Sequence, residues 1–177
     1  MKFFVISDIH GSLKYFKLAL ERFNNSNCDK LICLGDFYYH GPRNPLPEEY
    51  APKEVSILLN KIKDKVVAIQ GNCDAEVDQM ISEFYFQKSY TYLNSKHQLL
   101  FFHHGHHLVE EPNQYRVIFS GHTHISLLEE KEGIIYANPG SISLPKGDNS
   151  RGYFLVDENE ITFYDLISNE LINKISL

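Results

Sequence analysis

The sequence predicts an α/β fold, a two-sheet β-sandwich flanked by helices, and three observations predict it. The first third of the chain alternates short apolar runs with stretches of helical periodicity. Beyond about Phe84 the chain breaks into short strand-like segments separated by turn signals. Its 177 residues, 43% of them apolar, suffice for one domain, residues 1–177, that buries roughly 70% of the surface its unfolded form exposes.

The elements come in order. "KFFVISD" is an apolar run that stops at polar residues, as a buried strand does. "SLKYFKLALERFNN" sets Leu13, Phe16, Leu20 and Phe23 on one helical face, with Asn24 and Asn25 as a stop. "KLICLGD" is a second buried strand. "GPRNPLPEEYAP" holds four of the seven prolines and is a loop. "KEVSILLNKIKDK" spaces Val55, Leu58, Leu59 and Ile62 as a helix, and "VVAIQGN" is a third strand. This β-α-β-α-β order implies right-handed parallel crossovers. "YFQKSYTYL", "HQLLFFHH", "YRVIFSGH", "GIIYANPG", "GYFLVD" and "EITFYDL" then read as strands. Asn94-Ser95, Glu132-Gly133 and Asp157-Glu158-Asn159 mark turns between them.

Composition excludes several classes. The net charge is −6 and no Lys/Arg run occurs, so a nucleic-acid partner is not expected. Cys28, Cys33 and Cys73 form no C-x-x-C pair, which argues against a disulfide framework or a thiolate zinc site. The apolar start "MKFFVISDIH" is too short for a signal-peptide core, and no run approaches membrane-spanning length. The expectation is a cytoplasmic protein with no membrane partner.

The informative pattern is the set of polar residues at the end of each apolar run. The first run delivers Asp8 and His10, the second Asp36, the third Asn72, Cys73 and Asp74. A later run ends in His103, His104, His106 and His107, and another in His122 and His124. In open α/β sheets, ligands collect outside the carboxyl ends of the strands. Imidazole, carboxylate and carboxamide without thiolate suit Mn²⁺, Fe, Zn²⁺ or Mg²⁺. Each piece alone has a plain structural reading: a Gly-Asp corner as a turn, a lone Asn after Gly as a left-handed residue, four clustered histidines as a polar loop. Five strand ends carrying matched ligand types outweigh those readings.

"DIHG", "GD", "GNCD", "HGH" and "GHTH", in this order, resemble the motifs of the calcineurin-like metallophosphoesterases. "HGPRNPLPEEYAP", "GNCDAEVDQM" and "NPGSISLPKG" are similar to the small bacterial YfcE-like phosphodiesterase subgroup. The resemblance runs from Phe3 to about Asp157. It implies a four-layer α/β/β/α sandwich and two divalent metal ions, with Mn²⁺ expected. By the resemblance Asp8, His10 and His124 bind metal one, Asp36 bridges both, and Asn72, His104 and His122 bind metal two. One of the four clustered histidines is then the ligand. His103 is expected to face away, His106 to face substrate, and His107 to lie on the surface.

The implied function is hydrolysis of a small-molecule phosphodiester by a metal-bridging hydroxide, with Asn72 orienting as well as ligating. Arg43, in the "GPRN" loop, is the candidate phosphate contact, and Asp74 a buttress. Many superfamily members carry a histidine where this chain has Cys73. An ordinary thiol, with a pKa of about 8.5, is a weak proton donor, which leaves the general acid open between His106 and other groups. Two further readings come from the same fold: a metal-binding scaffold of the kind found in vesicle-coat assemblies, and a metal-dependent nuclease. A homo-oligomer is compatible with the resemblance.

Overall fold

The computed structural model describes all 177 residues. Strand β1 (Phe3–Ile6) is followed by α1 (Leu13–Asn25), β2 (Lys30–Cys33), α2 (Pro52–Asn60), β3 (Val66–Ile69) and α3 (Glu76–Ile81). Nine more strands complete the chain: β4 (Phe86–Gln87), β5 (Ser89–Leu93), β6 (Leu99–His103), β7 (Val117–Phe119), β8 (Ser126–Lys131), β9 (Ile134–Pro139), β10 (Gly152–Val156), β11 (Glu160–Asp165) and β12 (Leu171–Ser176). They form a seven-stranded sheet, ordered β12-β11-β10-β1-β2-β3-β4, and a five-stranded sheet, ordered β5-β6-β7-β9-β8.

The apolar runs of β1 to β3 are continuous because these strands are covered on both faces. Phe3, Val5, Ile32, Leu34, Val67 and Ile69 face the second sheet, where they meet Leu100, Phe102, Val117, Phe119 and Ile135. Phe4, Ile6, Leu31, Cys33 and Ala68 face the helices, against Phe16, Ala19 and Phe23 of α1 and Val55 and Leu59 of α2. Strands β1 to β4 run parallel through helical crossovers, and β10 to β12 add antiparallel pairs. In the second sheet β6, β7 and β9 are parallel.

The two-sheet sandwich flanked by helices is therefore present. All three α-helices precede residue 82, and they lie on the seven-stranded sheet. The parallel crossovers of the second sheet use a loop with one 3₁₀ turn (Pro112–Gln114) and strand β8 itself, so no α-helix arises to cover its outer face. Aromatic stacking covers part of that face: Phe101 stacks on Tyr115 at 4.5 Å and on His103 at 5.3 Å between ring centroids. His103 thus faces away from the inter-sheet core, as strand alternation predicts. The Glu132-Gly133 turn joins β8 to β9 with both residues at positive φ (51° and 81°), as a tight hairpin requires. Helix α3 and strands β8 and β12 are additions to the elements expected from the sequence. No helix is long and apolar enough to cross a membrane.

Candidate metal centre

The carboxyl ends of β1, β2, β3, β6 and β7 lie at one end of the sandwich, and the residues just beyond them converge. Asp8 N–H donates to the Gly35 carbonyl at 3.1 Å, His10 N–H to the Asp36 carbonyl at 2.8 Å, and Gly121 N–H to the His104 carbonyl at 2.8 Å. These bonds tie the first loop to the second and the fourth to the fifth. Asp8, His10, Asp36, His122 and His124 all have left-handed backbones, with φ between 48° and 66°. Asp and His are among the residues that tolerate this region best, and such strained positions gather at functional sites. Glycine is needed where the loops touch. A Cβ on Gly71 would come within 2.1 Å of Asp36 Oδ1, and one on Gly121 within 1.9 Å of Ser7 Oγ.

The side chains meet in two groups around Asp36. In the first, His124 Nε2 lies 3.2 Å and His10 Nε2 3.6 Å from Asp8 Oδ1. His10 Nε2 is also 3.7 Å from Asp36 Oδ2. In the second, His104 Nε2 lies 3.4 Å from Asp36 Oδ1 and 3.0 Å from Asn72 Oδ1. The His122 ring sits edge-on to His104, 5.2 Å between centroids. Asp8, His10, Asp36, His104 and His124 are buried, whereas Asn72 is exposed and His122 half-buried.

The tautomers are set by the partners of the other ring nitrogens. His10 Nδ1 is bonded to the Tyr39 carbonyl (2.8 Å), His104 Nδ1 to the Leu34 carbonyl (2.6 Å) and His124 Nδ1 to the Leu144 carbonyl (2.7 Å). A carbonyl only accepts, so each Nδ1 carries a hydrogen. Each neutral ring then presents an Nε2 lone pair to carboxylate or carboxamide oxygens, or to another lone pair: His10 and His124 Nε2 are 3.1 Å apart. Acceptors crowded on acceptors need cations between them. Asp8 Oδ1 is buried with no hydrogen-bond partner and points into the same space. The donor set fits two divalent ions, and the carbonyl-anchored histidines are the arrangement that orients metal ligands. Buried Asp/His clusters of this kind are consistent with a dinuclear metal site.

Without cations, protons take their place. Burial alone would raise the Asp8 carboxyl, but the adjoining His10 and His124 rings and the charge of His104 outweigh it and hold Asp8 well below the usual carboxylate range. Asp36 is lowered in the same way, its burial offset chiefly by His104. Burial works against charge on His104 too, yet Asp36 and Asp8 push its pKa up to about 9. His10 is raised for the same reason.

Supporting groups surround the centre. The Asp74 carboxylate accepts from the backbone N–H of Asp36 (2.8 Å), Phe37 (2.7 Å) and Gly71 (2.7 Å), which pins the second loop to the third. Asp74 is therefore placed to buttress the site. A sixth strand end, that of β9, also takes part. The Ser141 and Ser143 hydroxyls both donate to the Asp8 carbonyl, at 2.7 and 3.0 Å, and so hold its left-handed backbone. Sequence reasoning missed these serines and Lys146. The signal available was a further apolar run, "GIIYANPG", ending in small polar residues.

A cleft of about 780 Å³ opens over the centre, lined by Asp36, Asn72, Cys73, His122 and His124 and walled by Arg43, Thr123 and Lys146 among others. Arg43 is thus a wall residue of the cleft. His106 does not line this cleft. It is exposed on the Asn72 side, 5.2 Å from the His104 ring and 6.3 Å from the His122 ring, and stacks on His107 at 4.0 Å. The Cys73 thiol lies near His10 and Asp36; burial and the Asp36 carboxylate push its pKa up to about 12.

Comparison with known proteins agrees with this geometry. Residues 1–160 match the model of the calcineurin-like phosphoesterase superfamily domain. The chain is 40% identical to Phosphodiesterase YfcE of Escherichia coli, over 100% of this chain and 98% of that protein. The solved structure of that E. coli phosphoesterase superposes with a TM-score of 0.91 over 99% of both chains. Phosphodiesterase MJ0936 of Methanocaldococcus jannaschii is 26% identical over 79% of this chain and 83% of its own length. Vps29 of Entamoeba histolytica, solved with Zn²⁺, has a TM-score of 0.63 at 18% identity over 99% of both chains, a likeness of fold.

Proposed function

This chain belongs to the calcineurin-like phosphoesterase superfamily, and we propose that it is a phosphodiesterase whose paired Asp/His centre holds two divalent metal ions. Asp8, His10 and His124 would hold the first, Asn72, His104 and His122 the second, with Asp36 shared. The observation that carries this reading is the convergence of carbonyl-anchored Nε2 acceptors on the Asp8 and Asp36 carboxylates. When bound, two such ions stabilise charge on phosphoryl oxygens and bring the pKa of water towards neutrality, to about 7 in the best-studied zinc case.

The protein supplies position and electrostatics. The left-handed loops and the Ser141, Ser143 and Asp74 hydrogen bonds fix the ligands in advance, so no reorganisation is needed as charge develops. Arg43 offers a planar fork to phosphate oxygens above the floor of the cleft. Asn72, exposed and with its Oδ1 3.0 Å from His104 Nε2, would orient the reacting phosphate as well as ligate. His106, at the open side, is the candidate proton donor to the leaving oxygen.

Manganese is the metal we favour; oxygen and imidazole ligands also accept Zn²⁺, Fe or Mg²⁺. The whole chain, residues 1–177, would act as one domain on a small-molecule phosphodiester. A reducing cytoplasmic setting fits its three free thiols. The test is hydrolysis of bis-p-nitrophenyl phosphate by chelated and Mn²⁺-restored protein, with p-nitrophenyl phosphate alongside. Metal-dependent cleavage of the diester with little on the monoester is expected. Silence on both, despite tight metal binding, would overturn the reading in favour of a metal-binding scaffold.

A further inference from the structure

The walls of the cleft carry more positive charge than a simple diester needs. Two divalent ions over the Asp8 and Asp36 carboxylates leave a net positive centre, which the single charge of a diester and the hydroxide that attacks it cancel. The charges of Arg43, whose fork meets the reacting phosphate, and of Lys146 are then left uncancelled. Both line the cleft, and its only carboxylate, Asp36, lies at the floor. Neither takes part in any of the chain's ion pairs.

The two cations stand on different loops that are both fixed to the metal-one histidines. Tyr39, whose carbonyl accepts from His10, leads into the loop of Arg43. Leu144, whose carbonyl accepts from His124, leads into Lys146, and Lys146 N–H donates back to the His124 carbonyl at 3.1 Å. The base of Lys146 is therefore positioned as firmly as the metal ligand beside it, while its side chain is free to reach into the cleft. A volume of about 780 Å³ exceeds the needs of one phosphate and admits an arm beyond it.

Resting on the phosphodiesterase reading, we infer that Lys146 is a specificity residue, and that the natural substrate is a small diester carrying a terminal phosphate monoester on its non-leaving arm. A terminal phosphate brings about 1.5 to 2 negative charges at neutral pH, which matches the surplus of two cations better than a carboxylate does. A lysine acts on such a group as a point charge and needs no fixed approach angle.

A matched pair of substrates tests this. One is the p-nitrophenyl ester of thymidine 5′-phosphate; the other is the same ester with an added 3′-phosphate. Wild-type protein should favour the second by about tenfold or more in kcat/KM, as expected for one charge-assisted contact. Lys146→Gln should reduce that preference to nearly none, with the change in KM, and Lys146→Arg should retain most of it. Calorimetry with thymidine 3′,5′-bisphosphate against thymidine 5′-phosphate gives a readout independent of turnover, and the bisphosphate should bind tighter only when a cation stands at position 146. Equal kcat/KM for the two esters in wild type, or a preference untouched by Lys146→Gln, would overturn the inference. If neither ester is hydrolysed, the phosphodiesterase reading fails, and the calorimetric comparison still decides whether Lys146 recognises a second phosphate.

Discussion

The two halves of the metal centre are built differently. The Asp8–His10–His124 side is sealed: all three side chains are buried, and both rings are anchored by backbone carbonyls. The Asn72–His104–His122 side is open. Only His104 is buried and anchored; Asn72 is exposed, and His122 is half-buried against the cleft. The sealed half is complete before a cation arrives, whereas the open half is finished by one. Asp8, His10 and His124 would thus hold an ion away from solvent, and Asn72, His104 and His122 one that faces the cleft.

Asp36 joins the halves, so it offers the largest effect. Asp36→Asn keeps the shape and still accepts the Cys73 N–H bond (2.9 Å), but removes the shared charge. Activity should fall on the order of 10³-fold, comparable to or above the loss of a single transition-state contact. Bound metal, measured by mass spectrometry after gel filtration, should fall with it. Full activity in this variant would break the two-ion picture.

The asymmetry itself is sharpened by Asn72→Ala against His124→Ala. Asn72→Ala should lose the open-side ion and about 10²-fold in turnover while keeping one tightly held ion per chain. His124→Ala should release the sealed-side ion and weaken the other. Two tightly held ions in Asn72→Ala would show that the open half is not the weaker one.

A pH effect of intermediate size comes from His104. Its pKa stands at about 9 in the cation-free protein against an ordinary 6.5. The stability this gives the cation-free fold is fully present below pH 6.5 and is lost as pH rises through 9. Metal must displace that proton, so metal affinity rises over the same window. Calorimetry at pH 7.5 in buffers of different ionisation enthalpy should show proton release on metal binding, and the melting temperature of chelated protein should fall from pH 6.5 to 9. No proton release would contradict the exchange of proton for cation at His104.

Sequence legibility divides along the same line as strand burial. Strands β1 to β3 read clearly because both faces are covered, which makes each apolar run end abruptly at Asp8, Asp36 or Asn72. His104, His122 and His124 follow the apolar runs of β6, which alternates buried and half-buried residues, and of β7, which is buried throughout. The left-handed backbones of Asp8, His10 and Asp36 were not legible, since non-glycine residues hold them only through bonds from distant loops, such as those from Ser141 and Ser143. Lys146 was unreadable as a cleft residue because its position depends on β9 running parallel to β7. Strands β8 and β12 lack a clean signal: "SLLEEK" and "LINKIS" lie at sheet edges, with much of each exposed. All α-helices lie in the first half because the second half is made of hairpins and a 3₁₀ turn.

The smallest effect is expected at the open rim, where His106 and Cys73 compete for the role of proton donor. A well-positioned general acid contributes about 10² to 10⁴-fold. His106 is largely exposed and outside the cleft lining, and partial desolvation together with the charge of His104 lowers its pKa, which weakens its hold on a proton. Cys73 is closer to the centre, but a thiol pushed to about 12 gives up its proton reluctantly. His106→Ala should therefore cost only a few-fold in kcat, with the loss concentrated on the acid side of the pH–rate profile, where the wild-type imidazole is protonated, and fading on the alkaline side. Cys73→Ser should change kcat by less than about threefold, because a hydroxyl there is no better a donor. A pH–rate profile unaltered in His106→Ala would remove that residue from the chemistry and leave water on the open side as the source of the leaving group's proton.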